Sequence, residues 1–135
     1  MTDADAELAG VELDFIEPIP GLEPLTRFTL RAVADCPELF TLRSVEHPET
    51  RLFLLDPSAF FPEYRPEVDE DLLARLAPEG SAPVVLVVLR PGSQDDPHTA
   101  NLLAPVLVNA VAGTAVQAVL DEDWPLRAPL APVAA

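Results

Sequence analysis

The sequence predicts a mainly β protein, a small antiparallel β-barrel-like domain with one short α-helix, on three observations. Short strand-like segments recur along its 135 residues, the first of them alternating apolar and charged residues as a strand with one wet face does. Sixteen prolines stand between those segments and not in one linker, where they act as punctuation and edge protection. One stretch alone carries good helix signals, and no alternation of strands with long helices suggests a parallel sheet.

In chain order, residues 1–10 form an acidic lead-in expected to be disordered. Val11-Glu12-Leu13-Asp14-Phe15 then alternates apolar and charged residues as a half-wet strand does. Pro18-Ile19-Pro20-Gly21 makes a stiff turn, because two prolines fix φ and remove donors while Gly21 tolerates positive φ. Arg27 to Arg31, Leu39 to Val45 and Arg51 to Leu55 read as a meander, separated by Asp35-Cys36-Pro37 and Glu46-His47-Pro48-Glu49.

The helix is predicted over Val68 to Leu76. Pro66 precedes it, Asp69, Glu70 and Asp71 complement its N-terminal dipole, and Val68, Leu72, Leu73 and Leu76 share a face. Pro83 to Leu89 is nearly all β-branched or Leu, as expected of a core strand buried on both faces. Asn101 to Val111 and Thr114 to Leu120 flank Ala112-Gly113 as a hairpin. The Pro-rich stretch after Asp121 is expected to be extended, ending in a flexible tail over 131–135.

The length suits one domain, spanning 11–130, and the 49% hydrophobic content is enough to offset chain entropy. Val85, Val87, Val108 and Val116 are expected to fill the barrel interior. Against 23 Asp and Glu stand 8 basic residues, every one Arg, for a formal charge of −15. Polyanions are repelled by such a surface, so direct binding of nucleic acid or an anionic membrane is not expected, whereas a basic protein would be attracted. The acidic start lacks the features of a signal peptide, and the longest apolar run, Val84 to Leu89, is too short to span a bilayer. These features and the solitary Cys36 suit the cytoplasm, with Cys36 expected to be a small buried residue and not a reactive thiol.

Enzyme chemistry finds no footing. Ser44, Ser58, Ser81 and Ser93 lack a nucleophile elbow, the five glycines form no phosphate cradle, and no lysine exists for a Walker motif. Asp95-Asp96 with His98 is the best metal-like cluster, but such residues are ordinary turn formers in a Pro/Gly/Ser loop. No catalytic residue, metal or cofactor is therefore expected.

Two stretches are unusual as pure structure. Asp56 to Tyr64 places Phe60, Phe61 and Tyr64 in a Pro-bounded loop, where the rings either plug one end of the barrel or, partly exposed, anchor an interface. Thr99 to Val106 carries Pro105 in mid-run, which is expected at a sheet edge, and apolar edges invite partners.

Over about Val11 to Leu130 the sequence resembles the FliW family of bacterial flagellar assembly factors. Thr99-Ala100-Asn101-Leu102-Leu103-Ala104-Pro105-Val106-Leu107-Val108-Asn109 follows that family's motif almost residue by residue. Pro18-Ile19-Pro20-Gly21, Leu42-Arg43-Ser44-Val45, and Pro57 with Phe60, Phe61 and Tyr64 add weaker matches. Leu22 departs from a usual Phe, and Asp56 from a common Asn.

The resemblance implies a monomeric β-barrel-like protein that binds newly made flagellin. When flagellin is secreted, such a protein binds the translational repressor CsrA and relieves its block on flagellin mRNA. For flagellin, an apolar edge is expected, formed by Leu102, Leu103, Ala104, Pro105 and Val106 with Phe60 and Phe61 nearby, capturing an amphipathic helical terminus. For CsrA, acidic groups are expected at the helix start, Asp69, Glu70 and Asp71, and in the late loop, Asp121, Glu122 and Asp123. The alternative is a small ligand carrier or enzyme that uses the barrel interior, which a polar-lined interior cavity would favour.

Overall fold

The computed structural model describes residues 10–33, 36–80, 82–95, 97–121 and 123–130. The expected disorder of the first residues and flexibility of 131–135, like Glu122 and Asp96, lie outside them, save for Gly10 in a turn.

Among the described residues eight strands form: β1 Val11–Phe15, β2 Arg27–Val33, β3 Cys36–Ser44, β4 Arg51–Leu55, β5 Val84–Arg90, β6 Thr99–Asn109, β7 Thr114–Gln117 and β8 Ala128–Pro129. A 3-10 turn spans Pro57–Ala59, and helix α1 spans Glu70–Leu76. The sheet order is β5-β4-β3-β2-β1-β7-β6-β8, and β5 also pairs with β6. The first seven strands therefore close into a barrel, with β8 laid against β6 on a different stretch from the one that meets β7.

Every ladder of the barrel is antiparallel except one. Strands that alternate in direction cannot close a ring of odd number without two like-directed neighbours, and here those are β1 and β7. Their seam is short, pairing Asp14 with Thr114 and Phe15 with Ala115. The amides of Asp14 and Ile16 donate to the carbonyls of Gly113 and Ala115 at 2.8 and 2.9 Å.

Alternate residues point inward, as the pleat requires. Leu13, Phe15, Phe28, Leu30, Phe40, Leu42, Leu54, Leu86, Val106, Val108 and Ala115 fill the interior with buried side chains from all seven barrel strands. Ile19 joins them, with Leu22 and Leu25 of the same loop packed alongside. The turn after β1, and not the Phe60–Tyr64 loop, thus supplies apolar cover to the interior. Phe15 and Phe28 meet edge to face with centroids 5.3 Å apart.

Two further clusters lie on the outside of the wall. Leu55, Val87, Ala100 and Leu102 are covered by Phe60, Phe61, Tyr64 and Trp124. Leu107 and Val116 are covered by Leu72, Leu73 and Leu76 of α1. Of the four valines expected inside, Val108 alone belongs to the interior cluster. Val87 and Val116 are buried beneath the outer layers, and Val85 packs there too. A period of two tells which residues share a face, but not which face is the inner one.

Several boundaries differ from those expected. The helix begins two residues later than predicted, because Asp69 adopts an extended backbone and acts as N-cap residue, its carbonyl accepting from the Leu73 amide at 3.0 Å. Strand β3 begins at Cys36, through the predicted Asp35-Cys36-Pro37 break. The β2–β3 register shifts between Ala32 and Val33, leaving a bulge in which a residue without N–H costs no ladder bond.

Candidate protein-binding surfaces

The expectation that Pro105 marks a sheet edge is corrected by the structure. Strand β6 lies between β5 and β7, and Pro105 is buried. Pairing with β5 runs from Val84↔Val108 to Leu86↔Val106, then resumes at Val88↔Asn101. Two steps along β5 thus correspond to five along β6, and residues 102–105 arch away from β5 as a bulge.

Each backbone polar group of that arch is satisfied elsewhere. The Leu102 amide donates to Pro125 O at 3.0 Å, and its carbonyl accepts from the Tyr64 hydroxyl at 2.6 Å. Asn101 Oδ1 accepts from the amides of Leu103 and Ala104, both at 3.1 Å. The carbonyls of Leu103, Ala104 and Pro105 accept from Leu120 N, Gln117 Nε2 and Ala118 N. Pro105, with no N–H, stands where none is required.

Four of the five residues assigned to an apolar edge are consequently unavailable as a surface: Leu102, Ala104, Pro105 and Val106 are buried. Leu103 remains half-buried. Phe60 and Phe61, also half-buried, line a groove of about 420 Å³ with Tyr64, Leu102 and Trp124. Trp124 crosses Tyr64 edge to face at 4.7 Å and 85°. The fold brings Phe60, Phe61 and Leu102 together here, while Leu103 does not line this groove. Trp124 was missed in sequence because its partner Tyr64 lies far upstream with no motif joining them.

The two acidic runs, by contrast, each bring one residue, Asp69 and Asp121, to a common groove. A groove of about 620 Å³ is lined on one side by Glu67, Val68, Asp69 and Leu72, and on the other by Ala118, Val119, Leu120 and Asp121. Val119 is 69% exposed there, an apolar residue set among carboxylates. Glu70, Asp71 and Asp123 are exposed but do not line the groove. Glu67, which does, was missed because it precedes the predicted helix.

Asn109 holds this region in place. Its Nδ2 donates to Leu76 O at 3.1 Å and Glu79 Oε2 at 2.8 Å, while its Oδ1 accepts from the amides of Val111 and Ala112, both at 3.2 Å. One buried amide thereby ties the C-terminal end of α1 to the β6–β7 turn.

The remaining chemistry-bearing groups are engaged locally. His98 Nδ1 accepts from the Gly92 amide at 2.7 Å, closing its own loop. Cys36 is half-buried rather than buried; that burial pushes its thiol up, and a 3.3 Å hydrogen bond to Glu38 acts in the same direction. Asp56 Oδ1 accepts from Ser58 N and Oγ at 3.0 and 2.8 Å. Among the described residues, no helix is long and apolar enough to cross a membrane.

The FliW family model, described as FliW protein, matches residues 2–130. The chain belongs to the FliW family. A flagellar assembly factor FliW from Caldanaerobacter subterraneus subsp. tengcongensis is 34% identical over 111 residues, covering 81% of this chain and 74% of that protein. Its counterpart from Geobacillus kaustophilus is 36% identical over 97 residues, covering 71% and 67%. A crystal structure of the flagellar assembly factor FliW superposes with a TM-score of 0.79 at 28% identity, covering 90% of this chain and 86% of that one.

Proposed function

We propose that this chain is a cytoplasmic, monomeric flagellar assembly factor that binds flagellin and, once flagellin is exported, antagonises CsrA allosterically to relieve repression of flagellin translation. The observation that carries the CsrA half is the convergence of Asp69 and Asp121, with Glu67, around exposed Val119. An acidic rim draws a basic RNA-binding protein into encounter, and an apolar centre gives the contact a desolvated anchor. Binding away from the RNA-contacting surface would act through a coupling free energy between the two sites.

Flagellin capture is assigned to the groove of Phe60, Phe61, Leu102, Tyr64 and Trp124, which offers rings and aliphatic surface to the apolar face of a helical terminus. The filled barrel interior gives no support to the alternative of a ligand carrier or enzyme working from within.

Association with purified CsrA, followed by stopped flow across ionic strength, tests the first assignment. The rate is expected to fall with salt, and Asp69→Lys with Asp121→Lys to slow it by roughly tenfold at low salt. A rate indifferent to both would refute it. Phe61→Ala is expected to weaken flagellin binding and Leu103→Lys to leave it near normal; the reverse pattern would move the flagellin surface to the bulge.

A further inference from the structure

The arginines of this acidic protein are unevenly placed. A groove of about 610 Å³ is lined by Arg51, Arg90 and Arg127 over a floor of Leu52, Phe53, Val88 and Leu89, with Leu126 at its lip. Among the described residues no Asp or Glu lines it, although the chain carries 23 acids against 8 arginines. A second groove shares Arg90 and Arg127 and again has no acidic lining residue among the described residues. Elsewhere Arg27 pairs with Glu12 and Asp14, and Arg75 with Glu17 at 2.8 Å. Here Arg51 lies over the Phe53 ring at 5.0 Å, and Arg90 and Arg127 have no ion-pair partner among the described residues.

Backbone geometry adds a second observation. The β4–β5 ladder runs only from Leu55↔Val87 to Phe53↔Leu89. Beyond it, Arg51 and Leu52 pair with β3 alone, and Arg90 pairs with β6 alone. Pro91, next along, has no N–H to extend the ladder. The β4–β5 ladder therefore stops short of the strand ends at the place where the three arginines gather. Leu126, 59% exposed beside Arg127, adds apolar surface that water does not favour.

We propose that this groove binds an extended peptide segment of a protein partner that mixes carboxylates with aliphatic side chains. The carboxylates are held by Arg51, Arg90 and Arg127, whose planar forks suit bidentate pairing, and the aliphatic groups lie on Leu52, Phe53, Leu89 and Leu126. Charge complementarity selects this occupant: a net charge of −15 repels a long polyanion, while a short acidic segment experiences mainly the local arginines within a Debye length. The apolar floor favours peptide over a free phosphate. This site is opposite in sign to the acidic groove and goes beyond the two partners proposed above.

The test is an NMR titration of the full 14.5 kDa chain with a synthetic hexapeptide alternating aspartate and leucine. Saturable shifts are expected at the amides of Leu52, Leu89, Arg90 and Leu126 and at the guanidinium Nε of the three arginines. Arg90→Glu with Arg127→Glu, both exposed and so compatible with folding, should weaken binding at least tenfold, and Leu126→Asp should weaken it without touching an arginine. Absence of shifts, shifts unaffected by these variants, or equal binding of a lysine–leucine hexapeptide would overturn the proposal. So would preferential binding of a short RNA with the same arginine dependence, or self-association of the chain that the peptide displaces.

Discussion

Asn101→Ala removes one side-chain oxygen and orphans two amides, those of Leu103 and Ala104, which it accepts at 3.1 Å each. Neither amide can turn to β5, because the bulge carries both beyond the ladder. A neutral hydrogen bond contributes about 1 kcal/mol net. Because Asn101 is half-buried and water can reach part of the gap, the pair together is worth about 1–2 kcal/mol. A domain of this size loses about 3–5 °C of Tm per kcal/mol, so thermal unfolding by circular dichroism should show a drop of about 5 °C. Asn101→Asp keeps the oxygen and should stay within about 0.5 kcal/mol of the parent at neutral pH. Hydrogen exchange at Leu103 and Ala104 should accelerate in the alanine variant ahead of the interior strands. Equal Tm values for the Ala and Asp variants would refute the assignment of Asn101 as the support of the arch.

Tyr64→Phe should cost about 1–3 kcal/mol in chemical denaturation, since it leaves the Leu102 carbonyl buried without its 2.6 Å donor; an unchanged midpoint would show that water replaces the hydroxyl. Gly113 sits at φ +73, and a Cβ added there would stand only 3.4 Å from Glu12 O. Its conversion to Ala should cost about 1–2 kcal/mol in the same assay, by left-handed strain. Cys36 should react with iodoacetamide more slowly than a free thiol at pH 8, its rate still rising above pH 9, because burial and Glu38 hold the thiol protonated; a plateau below pH 8 would contradict this.

Strand positions were legible where short apolar segments are bounded by turn formers: β1, whose half-wet alternation survives into the fold, and β4 occupy the residues predicted for them, Val11–Phe15 and Arg51–Leu55. The role of Pro105 was not legible, since a proline reports only that an N–H is absent. Edge and central bulge both accept that, and the groups that decide between them, Tyr64, Gln117, Leu120 and Pro125, come from other places in the chain. The acidic runs were visible as composition, but the meeting of Asp69 and Asp121 in one groove depends on α1 packing over Leu107 and Val116. The arginine groove left no sequence trace, because Arg51, Arg90 and Arg127 are isolated residues on separate elements.

The parallel seam of β1 and β7 has a bearing on how the barrel comes into being. It joins Asp14 to Thr114 through two paired positions, the shortest ladder in the ring. A nascent chain can complete the β1–β5 meander while β7 is still inside the ribosome, leaving the free side of β1 unprotected for most of synthesis. Ring closure is thus a late event that joins strands roughly a hundred residues apart in sequence, after the meander between them has formed. The same junction is the natural place for the wall to part first, so protection from exchange at Ile16 should be the earliest lost.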